Sequence, residues 1–200
     1  MKNPRRRMAV LVVGLVAVVG VMIVLPRPKR PEDEAPDRTR AATPSAPLDL
    51  RGEILRRKLI PKDPARPVGA ARCVLFDWGM DIGSATLVAF EDGTTSLYTD
   101  RGGGFIGMGI HQTVRQAAAA FREEAERSTG QLKSTSEFRL PGPDAMAFFV
   151  VTDDDTLGSG PIPVEELQSG RHPLSRLADL GNDVITAMRL ADGASKDPGK

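Results

Sequence analysis

The feature that most constrains this chain is a run of eighteen uncharged, mostly apolar residues at positions 8–25, MAVLVVGLVAVVGVMIVL. As a helix this run would be about 27 Å long, which is enough to cross the hydrocarbon core of a bilayer. A buried core helix is a poor alternative, because both flanks are charged and the run has no polar face. The sequence therefore predicts a transmembrane anchor over 8–25 that follows a basic tail over 1–7.

The anchor has the position of a signal peptide but not its other features. Its apolar run exceeds the usual length of about 7–15 residues, and no small-residue cleavage site follows it. No cysteine stands at its end, which excludes a lipoprotein. We therefore expect an uncleaved, single-pass signal-anchor of bacterial type in the inner membrane.

The orientation of the anchor depends on the basic residues around it. Four basic residues precede it, and five follow within a short distance: Arg27, Lys29, Arg30, Arg38 and Arg40. The positive-inside signal is therefore nearly balanced. A short basic tail before a first apolar segment usually stays in the cytoplasm, which favours the rest of the chain on the periplasmic side and leaves the cytoplasmic side as the alternative.

Residues 26–67 contain nine prolines and few large apolar side chains. Such a segment cannot bury enough surface to fold, so it predicts a disordered, semi-stiff linker. Within it, residues 48–60, LDLRGEILRRKLI, could form a short helix that Gly52 weakens. Three basic residues of this stretch could contact anionic lipid or the acidic domain, or stay solvated: Arg56, Arg57 and Lys58.

The charge of the chain is divided between its two parts. Residues 1–67 carry fifteen basic and seven acidic side chains, whereas residues 68–200 carry twelve basic and nineteen acidic ones. The acidic part lacks the basic stripe with interleaved aromatic residues that a nucleic-acid interface needs. We therefore expect the membrane, through 8–25, as one partner, and no nucleic acid.

The pattern beyond the linker predicts an α+β globular domain over 68–193 and a flexible tail over 194–200. Apolar and β-branched runs predict strands, with Asp92-Gly93 as a hairpin turn, over 73–79, 84–90, 94–100, 136–140 and 145–152. Apolar residues at helical spacing predict two main helices, over 110–128 and 174–190, and one helical turn over 163–170. The expected fold is an antiparallel sheet of about five strands packed with two main helices.

The stretch DRGGGFIGMGI, residues 100–110, places Gly102, Gly104 and Gly107 at the G-x-G-x-x-G spacing of a dinucleotide-binding loop. That fingerprint belongs to a parallel βαβ unit, whereas the strand before this loop is polar and closes a hairpin. We therefore expect these glycines to serve backbone geometry, and no cofactor. An anion or small ligand at the start of the following helix is the alternative.

Apolar side chains among these glycines favour a partner-binding surface over a polar cradle. The candidate ligand- or partner-binding residues, with Trp78 as a packing or interface anchor, are Gly102, Gly103, Gly104, Phe105, Met108, His111 and Trp78. A rival enzyme or small-ligand receptor would gather its site at the same loop, residues 102–109, with Asp77, Asp100 and His111.

Other motifs predict neither a catalytic residue nor a metal site. The two histidines, His111 and His172, are far apart, and no H-E-x-x-H occurs. Asp153-Asp154-Asp155 lacks the spacing of a calcium loop, and Gly158-Ser159-Gly160 does not fit the G-x-S-x-G of a serine hydrolase. The single cysteine, Cys73, is expected to be a buried structural thiol.

Several stretches within residues 73–120, DWGMDIGSATLVAF, DGTTSLY and the triple glycine, resemble uncharacterised bacterial membrane-anchored proteins, a resemblance that implies no particular function. The order of strands and helices is similar to the roadblock and profilin-like group of small interaction domains, which implies protein binding. We expect a membrane-anchored binding or scaffold module. The alternative is a small-ligand-binding protein or enzyme with its site at the glycine loop.

We expect the mature chain to keep its N-terminal segment and to fractionate with the membrane, because the apolar run is long and lacks a processing site. Mass spectrometry of the intact mature protein measures this. A mature N-terminus between residues 20 and 45 would contradict the anchor.

Overall fold

A computed structural model describes residues 46–60, 65 and 67–196. The predicted anchor over 8–25 lies outside the described residues, as do most of the predicted linker and the last four residues of the tail. Within the described part of the chain, no helix is both long enough and apolar enough to cross a membrane.

The described residues form one antiparallel sheet with helices on both sides of it. In chain order the elements are α1 Ala46–Leu55, β1 Cys73–Met80, β2 Gly83–Phe90, β3 Thr95–Thr99, β4 Gly104–Phe105, α2 Gln112–Arg127, β5 Lys133–Ser134, β6 Ala145–Val151, β7 Thr156–Gly158, β8 Ile162–Pro163, α3 Val164–Gln168 and α4 Ser175–Lys196. The strands run in the order β4-β3-β2-β1-β6-β7-β5, and β8 pairs with the first residues of β6. This confirms the α+β class and the antiparallel sheet.

The first three strands confirm the predicted meander. β1 pairs with β2 from Cys73↔Phe90 to Met80↔Gly83, and β2 pairs with β3 across the Asp92-Gly93 turn. The chain then leaves for α2 and returns as β6, which lies on the other side of β1. β1 is therefore a central strand of the sheet.

The predicted strand over 136–140 is wrong. This segment crosses a face of the sheet instead of joining its edge: the side chain of Phe138 packs against the buried cluster there, and a Cβ at Gly79 would overlap the Gly142 carbonyl. Side chains supply hydrogen bonds to part of its backbone: Arg51 Nη1 donates to the Phe138 carbonyl at 2.8 Å, and Thr135 Oγ1 accepts from the Glu137 N–H at 3.0 Å. The sheet nevertheless exceeds five strands, because it gains the two- or three-residue strands β4, β5, β7 and β8.

The helices α2 and α4 confirm the two main amphipathic helices, and α3 confirms the single helical turn. Both long helices pack on the same face of the sheet, the helix-backed face. Their buried residues form one cluster with the strand residues Val74, Phe76 and Phe148, and the last two rings stack with centroids 5.1 Å apart. The amphipathic periods of the sequence thus identify this layer correctly.

The other face of β1 is covered by residues 46–60, which we call the strap. Its helix α1 ends at Leu55, and a turn with Arg57 at φ 60° carries the chain onward. Ile54, Leu55 and Ile60 are buried in a second cluster with residues of β1, β2 and β6: Cys73, Leu75, Val88, Ala147, Phe149 and Val151. The helix expected within the linker is therefore docked on the sheet, although it lies before the predicted domain start at Val68.

Fragments 46–193 and 68–193 should both unfold cooperatively, because the helix-backed cluster contains no strap residue. The shorter fragment should melt roughly 5–15 °C lower, since it exposes the surface that Ile54, Leu55 and Ile60 cover and leaves Asp77 without a guanidinium partner. Circular dichroism melts of the two fragments measure the difference. Equal melting temperatures would mean that the strap contributes nothing and that the domain begins near Val68.

Candidate functional site

The glycine loop, residues 100–110, is folded back along the edge of the sheet. Gly102 and Gly103, with φ 86° and 87°, reverse the chain after β3, so that β4 pairs back with Leu97 and Tyr98. The turn is closed by the Thr99 hydroxyl, which donates to the Gly102 carbonyl at 2.7 Å. The loop therefore continues the antiparallel meander and does not lead from a parallel strand into a helix.

Two glycines of this loop lie where no side chain fits. A Cβ at Gly104 would overlap the carbonyl oxygen of Leu97, and the φ of Gly104 is 135°. A Cβ at Gly109 would likewise overlap the carbonyl of Gly93. Close backbone contact within the protein thus accounts for these glycines, and no ligand is needed to explain them.

The polar groups around the loop bind the protein itself. The Gly107 N–H donates to Ser96 Oγ at 3.0 Å, and Arg115 Nε of α2 donates to the Gly109 carbonyl at 3.0 Å. These contacts tie the loop to β3 and to α2. The resulting surface is a fixed edge of the domain.

The predicted apolar residues of the loop and Trp78 lie mostly inward. Phe105, Met108 and Trp78 are partly buried and pack against the helix-backed cluster. The side chains that reach solvent are instead Ile106, 66% exposed, and Ile110, 80% exposed. Ile106 is one of the apolar side chains that the sequence places among the glycines, although it is not one of the predicted site residues. The helical spacing over 110–128 predicts Ile110 on the apolar face of that helix; this prediction is wrong, because the helix begins at Gln112 and Ile110 faces solvent.

The acid–base residues of the rival enzyme site are not brought together. Asp77 is buried on the strap side of β1, whereas Asp100 lies beside Gly83 after the end of β3. His111 precedes α2 near the start of β3, where its N–H donates to the Met108 carbonyl at 3.1 Å. His172 lies in the turn before α4, where its Nδ1 accepts from the Leu174 N–H at 3.1 Å.

The strongest polar cluster among the described residues lies beneath the strap. Arg51 Nε donates to the two carboxylate oxygens of Asp77 at 2.9 and 3.1 Å, and Arg51 Nη2 donates to the same carboxylate. The Thr86 hydroxyl adds a bond to Asp77 Oδ1 at 2.6 Å, and the guanidinium lies over the Phe149 ring, 5.5 Å from its centroid. Both charged side chains are almost completely buried. Asp77 is therefore a structural anion rather than an accessible general base.

An ion pair of Arg72, just before β1, and a hydrogen bond from Arg57 of the strap turn reach the acidic Asp153–Asp155 turn. Arg72 pairs with Glu91 at 2.7 Å and with Asp153 at 2.8 Å, and Arg57 Nη1 donates to the Asp154 carbonyl at 2.6 Å. Of the roles expected for the basic strap residues, the contact with the acidic domain is thus observed for Arg57. The described residues contain no group of three or more His, Cys, Asp or Glu side chains placed to hold a metal ion.

A cavity of about 320 Å³ lies between the strap turn and the hairpin that joins β2 to β3. Its lining includes Leu59, Ile60 and Phe90 together with the Arg72–Glu91 ion pair. Because these opposite charges already bind each other, the cavity presents no unpaired charge of either residue to a ligand. We therefore do not assign it a binding role.

Burial is the main cause of the shifted pKa values in the described part of the chain. It raises the pKa of the Cys73 thiol well above its usual value, and it raises the pKa of the half-buried Tyr98. The pKa of Asp179 on α4 is raised by burial and by Asp183 one turn later, and Arg176 opposes the shift. Desolvation without a catalytic partner is typical of structural groups.

Comparisons with protein-family models, with curated proteins and with solved structures return no match for this chain.

Replacing Gly104 by Ala should destabilise the domain by about 2 kcal/mol or more, because the new Cβ would overlap the Leu97 carbonyl at a positive φ. The matched control is Gly130→Ala, where no atom lies within 4 Å of the added Cβ and the φ is not positive. Denaturant unfolding of both variants measures the difference.

A nucleotide role for the loop would appear as ligand-dependent stability. A ligand at a hundred times its dissociation constant stabilises the folded state by about 2.7 kcal/mol, which would raise the melting temperature by roughly 5–15 °C. We expect no such shift with millimolar NAD, NADP, FAD, ATP or GTP. A clear shift with any of them, together with an unchanged melt for Gly104→Ala, would overturn the structural interpretation of the glycines.

Proposed function

We propose that this protein is a membrane-anchored binding or scaffold module. Residues 8–25 anchor it in a bacterial inner membrane, the proline-rich linker spaces it from the bilayer, and the α+β domain lies on the periplasmic side. The domain binds a protein partner through the edge formed by the glycine loop. The observation that carries this proposal is the exposure of Ile106 and Ile110 on a loop that is otherwise fixed to the protein.

Single exposed aliphatic residues are common on protein surfaces and need no explanation. Ile106 and Ile110 differ because they lie four positions apart on one loop, beside the partly buried Phe105 and Met108. Neither isoleucine is needed to fill the core, so their exposure favours a contact outside this domain. A partner with an apolar patch would remove both side chains from water at little conformational cost, because the loop is already ordered.

The rival hypothesis, an enzyme or small-ligand site over residues 102–109, has no support from the geometry. Asp77 is buried on the strap side of β1, Asp100 follows β3 beside Gly83, and His111 precedes α2. We therefore keep it only as an outcome of the experiments on the glycine loop.

The experiment is a pull-down with the full-length protein extracted from its membrane in mild detergent. We expect a protein partner to be retained by the wild type and lost from the double variant Ile106→Ser, Ile110→Ser. Loss of the two aliphatic anchors should weaken binding roughly 30-fold or more, since each anchor contributes at least about 1 kcal/mol when buried.

The matched control is Leu190→Ser, which removes an aliphatic side chain of similar exposure, 70%, from α4. This control should keep the partner, and all three proteins should melt at similar temperatures because the altered side chains are exposed. If the double variant retains the same partners as the wild type, the glycine-loop edge is not the binding surface.

A further inference from the structure

The strap and the helix-backed core share no buried cluster. The larger cluster joins the sheet to α2, α3 and α4 and contains no residue of 46–60. The strap belongs to the second cluster, on the opposite face, where Ile54, Leu55 and Ile60 supply its buried apolar side chains. The larger core of the sheet and its helices therefore includes no buried apolar side chain of the strap.

The helix α1 is weak on its own. It has only ten residues, shorter than the roughly 12–15 at which even favourable isolated helices become marginal in water. Its sequence APLDLRGEIL also places Gly52 in the interior of the helix, where glycine is the least favourable residue after proline. The strap is thus ordered by docking on the sheet rather than by its own helical propensity.

Several polar contacts join the strap to the sheet, among them the Thr156 hydroxyl donating to the Leu55 carbonyl at 2.9 Å, and the Arg51–Asp77 pair is the selective one. Arg51 and Asp77 are nearly inaccessible to solvent when paired, and a buried pair of this kind adds little net stability, because both groups lose their hydration. Either charge left alone in the closed structure is strongly unfavourable. The pair therefore favours one docked position of the strap and disfavours partly docked ones. We call the Arg51–Asp77 pair the latch.

We infer that residues 46–60 are a releasable cover, latched by Arg51 and Asp77, that opens as a unit while the helix-backed sheet stays folded. Release exposes an apolar face around the Asp77 carboxylate, formed by Cys73, Leu75, Ala147 and Phe149. The ligand chemistry that fits this face is that of the strap itself: a helix with an arginine followed three and four positions later by aliphatic residues, as Arg51 is followed by Ile54 and Leu55. This inference goes beyond the proposed function and does not depend on the glycine-loop edge.

The chain contains its own reporter of this opening. Cys73 is its single cysteine, is completely buried and lies in the cluster that the strap covers. The closed protein should react very slowly with a thiol reagent, because the group is inaccessible. A strap that opens should admit the reagent without unfolding of α2 and α4.

The experiment measures labelling of Cys73 by 5,5′-dithiobis(2-nitrobenzoic acid) in the full-length protein, in detergent, over a range of sub-denaturing urea concentrations. Global unfolding is followed in parallel by circular dichroism. We expect labelling to depend on urea at most half as steeply as global unfolding, since opening exposes only part of the buried surface. Labelling that shows the same urea dependence and the same free energy as global unfolding would overturn the inference.

Latch variants separate opening from general loss of stability. Arg51→Leu should accelerate labelling at least tenfold. It should lower the free energy of global unfolding, followed by the helical signal, by much less than the free energy that a tenfold change in labelling rate represents. Asp77→Asn, which keeps an acceptor for the Thr86 hydroxyl, should give a smaller acceleration in the same direction. If both variants label at the wild-type rate, or label faster only in proportion to their loss of global stability, the latch does not exist.

The matched control is Glu124→Gln, which removes a carboxylate paired with Arg127 and Arg176 on the helix-backed side. Its labelling rate should stay within about twofold of the wild type. A tenfold acceleration in this control would show that Cys73 responds to any loss of an ion pair, and the inference would then be abandoned.

Discussion

The arrangement of this domain depends on the burial of strand β1 on both faces. Val74 and Phe76 point to the helix-backed face, Cys73 and Leu75 point to the opposite face, and all four are inaccessible to solvent. A strand with two apolar faces needs a covering layer on each side. Helices α2 and α4 supply one layer, and the strap together with the segment around Phe138 supplies the other. An antiparallel sheet with one solvent-exposed face would not need the second layer.

The carboxylate of Asp77 makes the second layer specific. It is a charge in the middle of a doubly covered strand, where an unpaired carboxylate would be strongly unfavourable. Its hydrogen bonds come from the strap, through Arg51, and from the neighbouring strand, through Thr86, while the same arginine binds the carbonyl of Phe138. One buried anion therefore aligns three separate segments. Apolar packing alone would tolerate several positions of the strap, and this cluster selects one.

The parts of the fold that the sequence predicts are those with a strong local period. The meander of β1, β2 and β3, the strand β6 and the helices α2 and α4 all have long apolar patterns or a turn signal such as Asp92-Gly93. β4, β5, β7 and β8 have two or three residues, too few for any period to be detected. The segment 136–140 alternates like a strand because Phe138 and Leu140 have partly buried side chains while it crosses the sheet face.

The pairing of Arg51 with Asp77 could not be found from spacing, because the partners are 26 positions apart and lie in different predicted regions. One signal did exist: CVLF in β1 is a continuous apolar run, typical of a strand buried on both faces, and it implied a second cover. The exposure of Ile106 and Ile110 could not be predicted from the sequence either. A sequence shows that a residue is apolar, but it does not show which of several neighbouring apolar side chains points into the core. In this loop the inward positions belong to Phe105 and Met108.

The glycine loop illustrates why a spacing motif must be judged by the strand that precedes it. In a dinucleotide-binding unit the glycines bring the backbone close to a pyrophosphate at the start of a helix. Here the preceding strand is hairpin-paired, so the chain must turn back along the same sheet, and the close approach made by Gly104 is to the carbonyl of Leu97 in its own neighbouring strand. The same lack of a side chain thus serves a contact between two strands. Once the glycines are used in this way, the loop is fixed to the sheet, and the large apolar side chains that the packing turns outward are Ile106 and Ile110.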